Sequence, residues 1–129
     1  MAQFIKPVQF PYSEKFGERI DPLDKSKKQF HNGVDFAAPY GSKVYAPADG
    51  IIVTGNSEAG GLQLFIVHRD GYVSGFAHLS KLIAGKGDTV KQGQLIALTG
   101  NSGAHTTGAH LHYTLKKNNQ YINPINLFA

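Results

Sequence analysis

The sequence predicts a mainly β, single-domain protein built on an antiparallel sheet with little helix. Three observations carry that expectation. Apolar residues recur at every second position in several short runs, most plainly in GAHLHYTL at 108–115. Glycine, proline and asparagine interrupt these runs at short intervals, as turn residues do. No stretch holds a 3.6-residue apolar period over three or more turns, so the chain offers no long amphipathic helix.

The strand candidates follow in order. KVYA (43–46) ends at the Pro47-Ala48-Asp49-Gly50 turn, and GIIVT (50–54) runs into the glycine-rich stretch 55–61. LQLFIVH (62–68) and YVSGFAHL (72–79) flank Arg69-Asp70-Gly71, where a two-residue Asp70-Gly71 turn predicts a hairpin. That register sets His78 opposite Gln63 and His68 opposite Val73, on opposite faces of the sheet, whereas a three-residue loop would change it. QLIALT (94–99) and AHLHYTL (109–115) are the last strands, separated by the loop 100–108. Asn123-Pro124 offers a cap and a proline at the first helical position, so INLF closes the chain with one short helical turn. Gly33, Gly50, Gly93 and Gly100 read as turn or close-approach residues.

Composition narrows the function classes. A chain of 129 residues, with 41% hydrophobic and 17% charged side chains, suits one compact domain rather than a disordered tail. No apolar run approaches the roughly 18 residues of a membrane span, so membrane insertion is not expected. The opening MAQFIKPVQFPYSEKF has no apolar core of a secretory signal. The net charge of +4 is spread thinly, with Lys25, Lys27 and Lys28 its tightest cluster and Arg19 and Arg69 the two arginines. Without a basic stripe interleaved with stacking aromatics, nucleic acid is not the expected partner; anionic polymers of a bacterial surface would be attracted equally well. A monomer is the expectation. The absence of cysteine removes disulfides and thiolate metal sites, leaving imidazole and carboxylate as metal donors.

Six histidines are available. In HLH, His110 and His112 project from the same side of a strand while Leu111, Tyr113 and Leu115 take the other. In HNGVD, His31 and Asp35 are four apart, an even spacing that shares one face if the segment is extended. Alone, that pair is weak, since a surface histidine beside a loop aspartate has the same pattern. Beside HLH it completes a His, Asp, His donor set, the composition of a three-ligand catalytic zinc site open at its fourth position. One histidine of the HLH pair, with His78 of the AHL segment, is then left for proton transfer. His68 is expected on the far face, packed or hydrogen-bonded; His105 in the 100–108 loop reads first as a plain exposed loop histidine, and as a border of the cleft rather than a metal ligand.

HNGVDFAAPYGSKVYAPADGIIV, GFAHLSKL, VKQGQLIALTGNSG and HTTGAHLHYTL stand in the order and spacing of the M23, or lysostaphin and LytM type, zinc metallopeptidases. The resemblance covers about residues 13–127 of a domain taken as 1–129. It implies a sheet groove of the lysostaphin/LytM, duplicated-hybrid-motif-like, type. It implies one Zn2+ per chain held by His31, Asp35 and His112, with His78 and His110 as the catalytic pair. It further implies hydrolysis of peptide bonds in the stem peptides or cross-bridges of bacterial peptidoglycan, on the periplasmic or extracellular side. Delivery would be as a bacteriophage lysin, released through a holin or carried on a virion, or as part of a larger exported protein. Ala109 stands where such proteins often have proline and Phe76 where they often have tyrosine, and neither change removes a ligand. The 101–107 loop is expected to shape substrate preference.

Two other classes are weighed against the peptidase. A catalytically silent relative that regulates other wall hydrolases typically loses zinc ligands, whereas every ligand position is filled here. A biotinyl or lipoyl carrier is suggested by APADGIIV and GDTVKQGQLIAL, but neither Lys81 nor Lys86 between them lies in a carrier-type sequence. For the peptidase, a histidine base must be at least partly neutral, so activity should fall below about pH 6. A pH profile of hydrolysis that stays flat to about pH 4.5 would count against it.

Overall fold

The computed structural model describes residues 4–20, 24–101 and 109–128. Among them are twelve strands: β1 (Tyr12–Glu14), β2 (Gly17–Ile20), β3 (Lys28–His31), β4 (Val34–Phe36), β5 (Lys43–Tyr45), β6 (Gly50–Ser57), β7 (Gly61–Val67), β8 (Tyr72–Leu82), β9 (Thr89–Val90), β10 (Leu95–Thr99), β11 (Leu111–Lys117) and β12 (Gln120–Ile122). One 3₁₀ turn, Pro124–Leu127, follows the last strand, and the Asn123 side chain caps it by accepting from the Ile125 N–H.

The main sheet runs β1-β4-β11-β8-β7-β6-β9, with every paired neighbour antiparallel. Along the edge opposite β7, strand β8 is long enough to serve two partners: residues 72–77 pair with β11, and residues 79–82 pair with β10, which in turn pairs with β5. Strands β2 and β3 form a separate two-stranded ribbon. No helix among the described residues is long and apolar enough to cross a membrane.

Alternation divides the sheet into two faces. Leu111, Tyr113 and Leu115 of β11, Phe76 of β8, Leu64 and Ile66 of β7, and Ile52 of β6 point into one core, each at 1% exposure or less. Burial of an aliphatic or aromatic side chain stabilises by about 1.5–3 kcal/mol, so this face decides the register. Phe4 and Val8, from the N-terminal segment, and Val44 and Ile96, from β5 and β10, close the core from the other side. The opposite face carries His112, Thr114, Gly75 and Phe65, the alternate residues of the same strands.

Two details differ from the sequence expectation. The β7–β8 connection is a three-residue loop, Arg69-Asp70-Gly71, closed by the His68 N–H to Tyr72 carbonyl hydrogen bond of 2.9 Å. Asp70 and Gly71 both take positive φ in this loop. Val73 therefore faces Val67, not His68. The N-terminal third, read without strands, forms β1 to β4, each only three or four residues long and too short to show alternation.

His68 does lie on the core face, at 7% exposure. Its Nδ1 is 2.7 Å from the Asp49 carbonyl, its Nε2 is 2.7 Å from Ser74 Oγ, and Ser74 Oγ is 2.7 Å from the Tyr113 hydroxyl. A neutral ring satisfies the whole chain: Nδ1–H donates to Asp49, Ser74 donates to Nε2, and Tyr113 donates to Ser74. Burial pushes His68 below the ordinary histidine value, outweighing the opposing hydrogen bond and charge effect at Asp49. The unfolded chain then binds a proton that folded His68 refuses, so this stability is present above about pH 6.5 and is lost as pH falls. The melting temperature should drop from about pH 7 to about pH 5, and less steeply in His68→Gln, as calorimetry across that range would measure.

Candidate metal and catalytic centre

Three strands bring the centre together on the open face. The chain breaks between β3 and β4 at Asn32-Gly33, so His31 ends the small ribbon while Asp35 sits in the main sheet. The two side chains meet across this kink and not along one extended strand. Gly33 permits it, because a β-carbon there would lie 2.2 Å from the Tyr113 carbonyl oxygen and 2.9 Å from Thr114 Cγ2. Asp35 pairs in register with His112 of β11.

Three donor atoms face one another: His31 Nε2 is 3.3 Å from both His112 Nδ1 and Asp35 Oδ1, and His112 Nδ1 is 2.7 Å from Asp35 Oδ1. Ligands about 2.0–2.1 Å from a tetrahedral zinc stand about 3.3–3.4 Å apart, so two of the three edges already have that length. The third is shortened by the hydrogen bond that His112 Nδ1–H donates to the carboxylate. His31 is further held by its own Nδ1–H, which donates to the Lys15 carbonyl at 2.9 Å and turns Nε2 toward the other two residues. This backbone partner left no trace in the sequence, since any residue supplies a carbonyl.

His31 and Asp35 are buried and His112 is partly open. Burial by itself would raise the Asp35 carboxyl, but hydrogen bonds from His112 and His31, with their charges, hold it well below the ordinary carboxylate range. The donor set is therefore two imidazoles and an anion, suited to a divalent cation of borderline softness.

His78 and His110 stand beside this set. Their ring centroids are 4.9 Å apart, His78 lies 6.1 Å from the His112 ring, and His110 Nε2 approaches Asp35 Oδ2 at 3.9 Å. His110 arrives by simple alternation from His112. His78 does not: Phe76 faces the core, Ala77 pairs with His112, and continued alternation would send residue 78 back into the core. A bulge in β8 prevents that. Leu64 pairs with Phe76 but Leu62 with Leu79, one residue being absorbed between them. His78 takes φ 61° there, and its N–H donates to the Gly60 carbonyl at 2.8 Å. The bulge returns Leu79 to the core and leaves His78 on the open face. His105, read as an exposed loop or cleft-border histidine, and most of the 101–107 loop lie outside the described residues.

Residues 29–124 match the pattern of Peptidase family M23. The chain belongs to that family. It is similar to the peptidoglycan DD-endopeptidase ShyA of Vibrio cholerae, 44% identical over 98 residues, which cover 75% of this chain and 22% of that protein. The M23 chain thus spans about a fifth of that relative's length. Among solved structures, it resembles a zinc-containing peptidase from Vibrio cholerae, with a TM-score of 0.87 and 34% identity over all of this chain and 40% of the other. It also resembles the catalytic domain of lysostaphin from Staphylococcus simulans, with a TM-score of 0.79 and 31% identity over 91% of this chain and 90% of that one. The fold is thus of the lysostaphin type expected from the sequence.

The left-handed backbone at His78 gives a test of the bulge. A β-carbon at positive φ costs about 1 kcal/mol, so His78→Gly should be more stable than His78→Ala by about that amount. Equal stabilities in urea denaturation would mean that the bulge relaxes.

Proposed function

We propose that this chain is a zinc-dependent endopeptidase domain that hydrolyses peptide bonds in the stem peptides or cross-bridges of bacterial peptidoglycan. The observation that supports it most strongly is the convergence of His31, Asp35, His112, His78 and His110 on one open sheet face, with the first three at ligand spacing. In this reading His31 binds through Nε2, Asp35 through Oδ1 and His112 through Nδ1. Zinc bound there supplies Lewis-acid activation of water and of the scissile carbonyl.

The remaining chemistry belongs to the protein. Asp35 stays ionised throughout the neutral range and gives the cation an anionic ligand. The Lys15 carbonyl keeps His31 in the tautomer whose Nε2 can bind. His78 and His110 form the proton-handling pair: one takes the proton from water, and the other hydrogen-bonds the developing oxyanion or delivers a proton to the leaving amine. They are assigned jointly. The glycine-edged open face suits an extended substrate with small side chains. Action on the wall implies a periplasmic or extracellular site, reached as part of an exported protein or as a bacteriophage lysin.

The test is a digest of purified Gram-negative and Gram-positive peptidoglycan with zinc-loaded protein, followed by mass spectrometry, with His110→Ala as the control. New amino termini without new reducing sugar ends, absent in the variant, are expected, and the fragments will name the bond. A folded protein that holds one zinc and cuts neither wall would favour a regulatory relative that has lost turnover.

A further inference from the structure

The face that carries the histidines continues across three more strands. Register sets Thr114 of β11 beside Gly75 of β8, Gly75 beside Phe65 of β7, and Phe65 beside Val53 of β6. The next row holds Lys116, Val73, Val67 and Ile51. Ile51, Val53 and Val67 are 51%, 41% and 46% exposed, although their alternate neighbours Ile52, Leu64 and Ile66 are fully in the core. Single exposed aliphatics are ordinary, but this group is contiguous and adjoins the catalytic centre on the same surface.

Phe65 is its centre, and glycine stands beside its ring on both flanking strands. A β-carbon at Gly75 would be 3.2 Å from Phe65 Cε1, and one at Gly55 would be 3.3 Å from Phe65 Cε2. A side chain at 55 or 75 would crowd the ring from either flank. The result is a half-buried aromatic ring set between two glycines, with aliphatic flanks and the Thr114 hydroxyl beside Gly75.

We infer that Phe65, framed by Val53, Gly55 and Gly75, is a sugar-stacking subsite that seats a hexosamine ring of the glycan strand from which the cleaved stem peptide hangs. This rests on the peptidoglycan reading above. Phe65 lies two strands across and one residue pair along from His112, about 12 Å away. An extended peptide of three or four residues spans about 10–14 Å, which matches the reach from a scissile bond at the metal to the sugar that bears the stem. A pyranose presents one face of C–H bonds, which packs flat against an aromatic face while its hydroxyls remain at the rim. A peptide is the poorer occupant, because β7 and β8 are interior strands whose backbone groups are committed to ladders on both sides.

Two measurements test it. In zinc-loaded His110→Ala protein, the peptide-free disaccharide of N-acetylglucosamine and N-acetylmuramic acid should shift the Phe65 ring and Val53 methyl resonances, and a sugar-free stem peptide should not. In steady-state assays of the active protein, Phe65→Leu should raise KM roughly fivefold for glycan-bearing substrate while leaving the same cross-linked peptide freed of sugar unchanged. Resonance shifts caused by the peptide instead, no shift with the disaccharide, or an equal KM change on both substrates would overturn the subsite. If the unmodified protein cuts neither substrate, the endopeptidase reading fails, while the disaccharide titration still decides the role of Phe65.

Discussion

Strand β11 cannot bury Leu111, Tyr113 and Leu115 without turning His110, His112 and Thr114 to the opposite face. The rest of the centre is placed relative to that choice. Its two main neighbours deliver partners to the row that carries His112, Asp35 from β4 and Ala77 from β8, both opposite it. A slip of one residue would bury the imidazoles and expose three of the largest core side chains, at a cost of several kcal/mol. Packing energy on one side of the sheet thus holds the geometry of the other.

The open face is maintained against local preference at two points. His78 occupies a left-handed backbone that a non-glycine residue adopts at a cost, and the bulge survives because Phe76 and Leu79 on either side are both core residues. Asp35 is a carboxylate at 7% exposure, tolerable only because two histidines pair with it. Both departures fall within the cluster, and both place a polar group where a purely structural sheet would have an apolar one. The core face, by contrast, meets its polar demands in full: His68, Ser74 and Tyr113 pass hydrogen bonds along a closed chain ending at Asp49.

Much of this was legible beforehand, and unevenly. The alternation of β11 and the facing of the HLH pair were readable because seven residues are enough to display a period of two. The capped 3₁₀ turn at Asn123-Pro124 was readable because its signal is local. Strands β1 to β4 were not, since three or four residues carry no period. The register of the β7–β8 hairpin is not fixed by sequence, because Arg69-Asp70-Gly71 is compatible with a two- or a three-residue loop, and only the joint burial of Ile66 and Phe76 selects the latter.

The sequence by itself determined the chemistry available: imidazole and carboxylate donors without thiolates, a β framework, and motif spacings that resemble family M23. Tertiary structure decided how those groups meet. His31 reaches Asp35 across a kink allowed by Gly33, His78 is turned outward by a bulge, and the Lys15 carbonyl orients His31 from a segment sixteen residues away. Spacing along a chain reports which residues are near in sequence. Register, bulges and backbone acceptors depend on what the opposite face must bury, and that is a property of the folded whole.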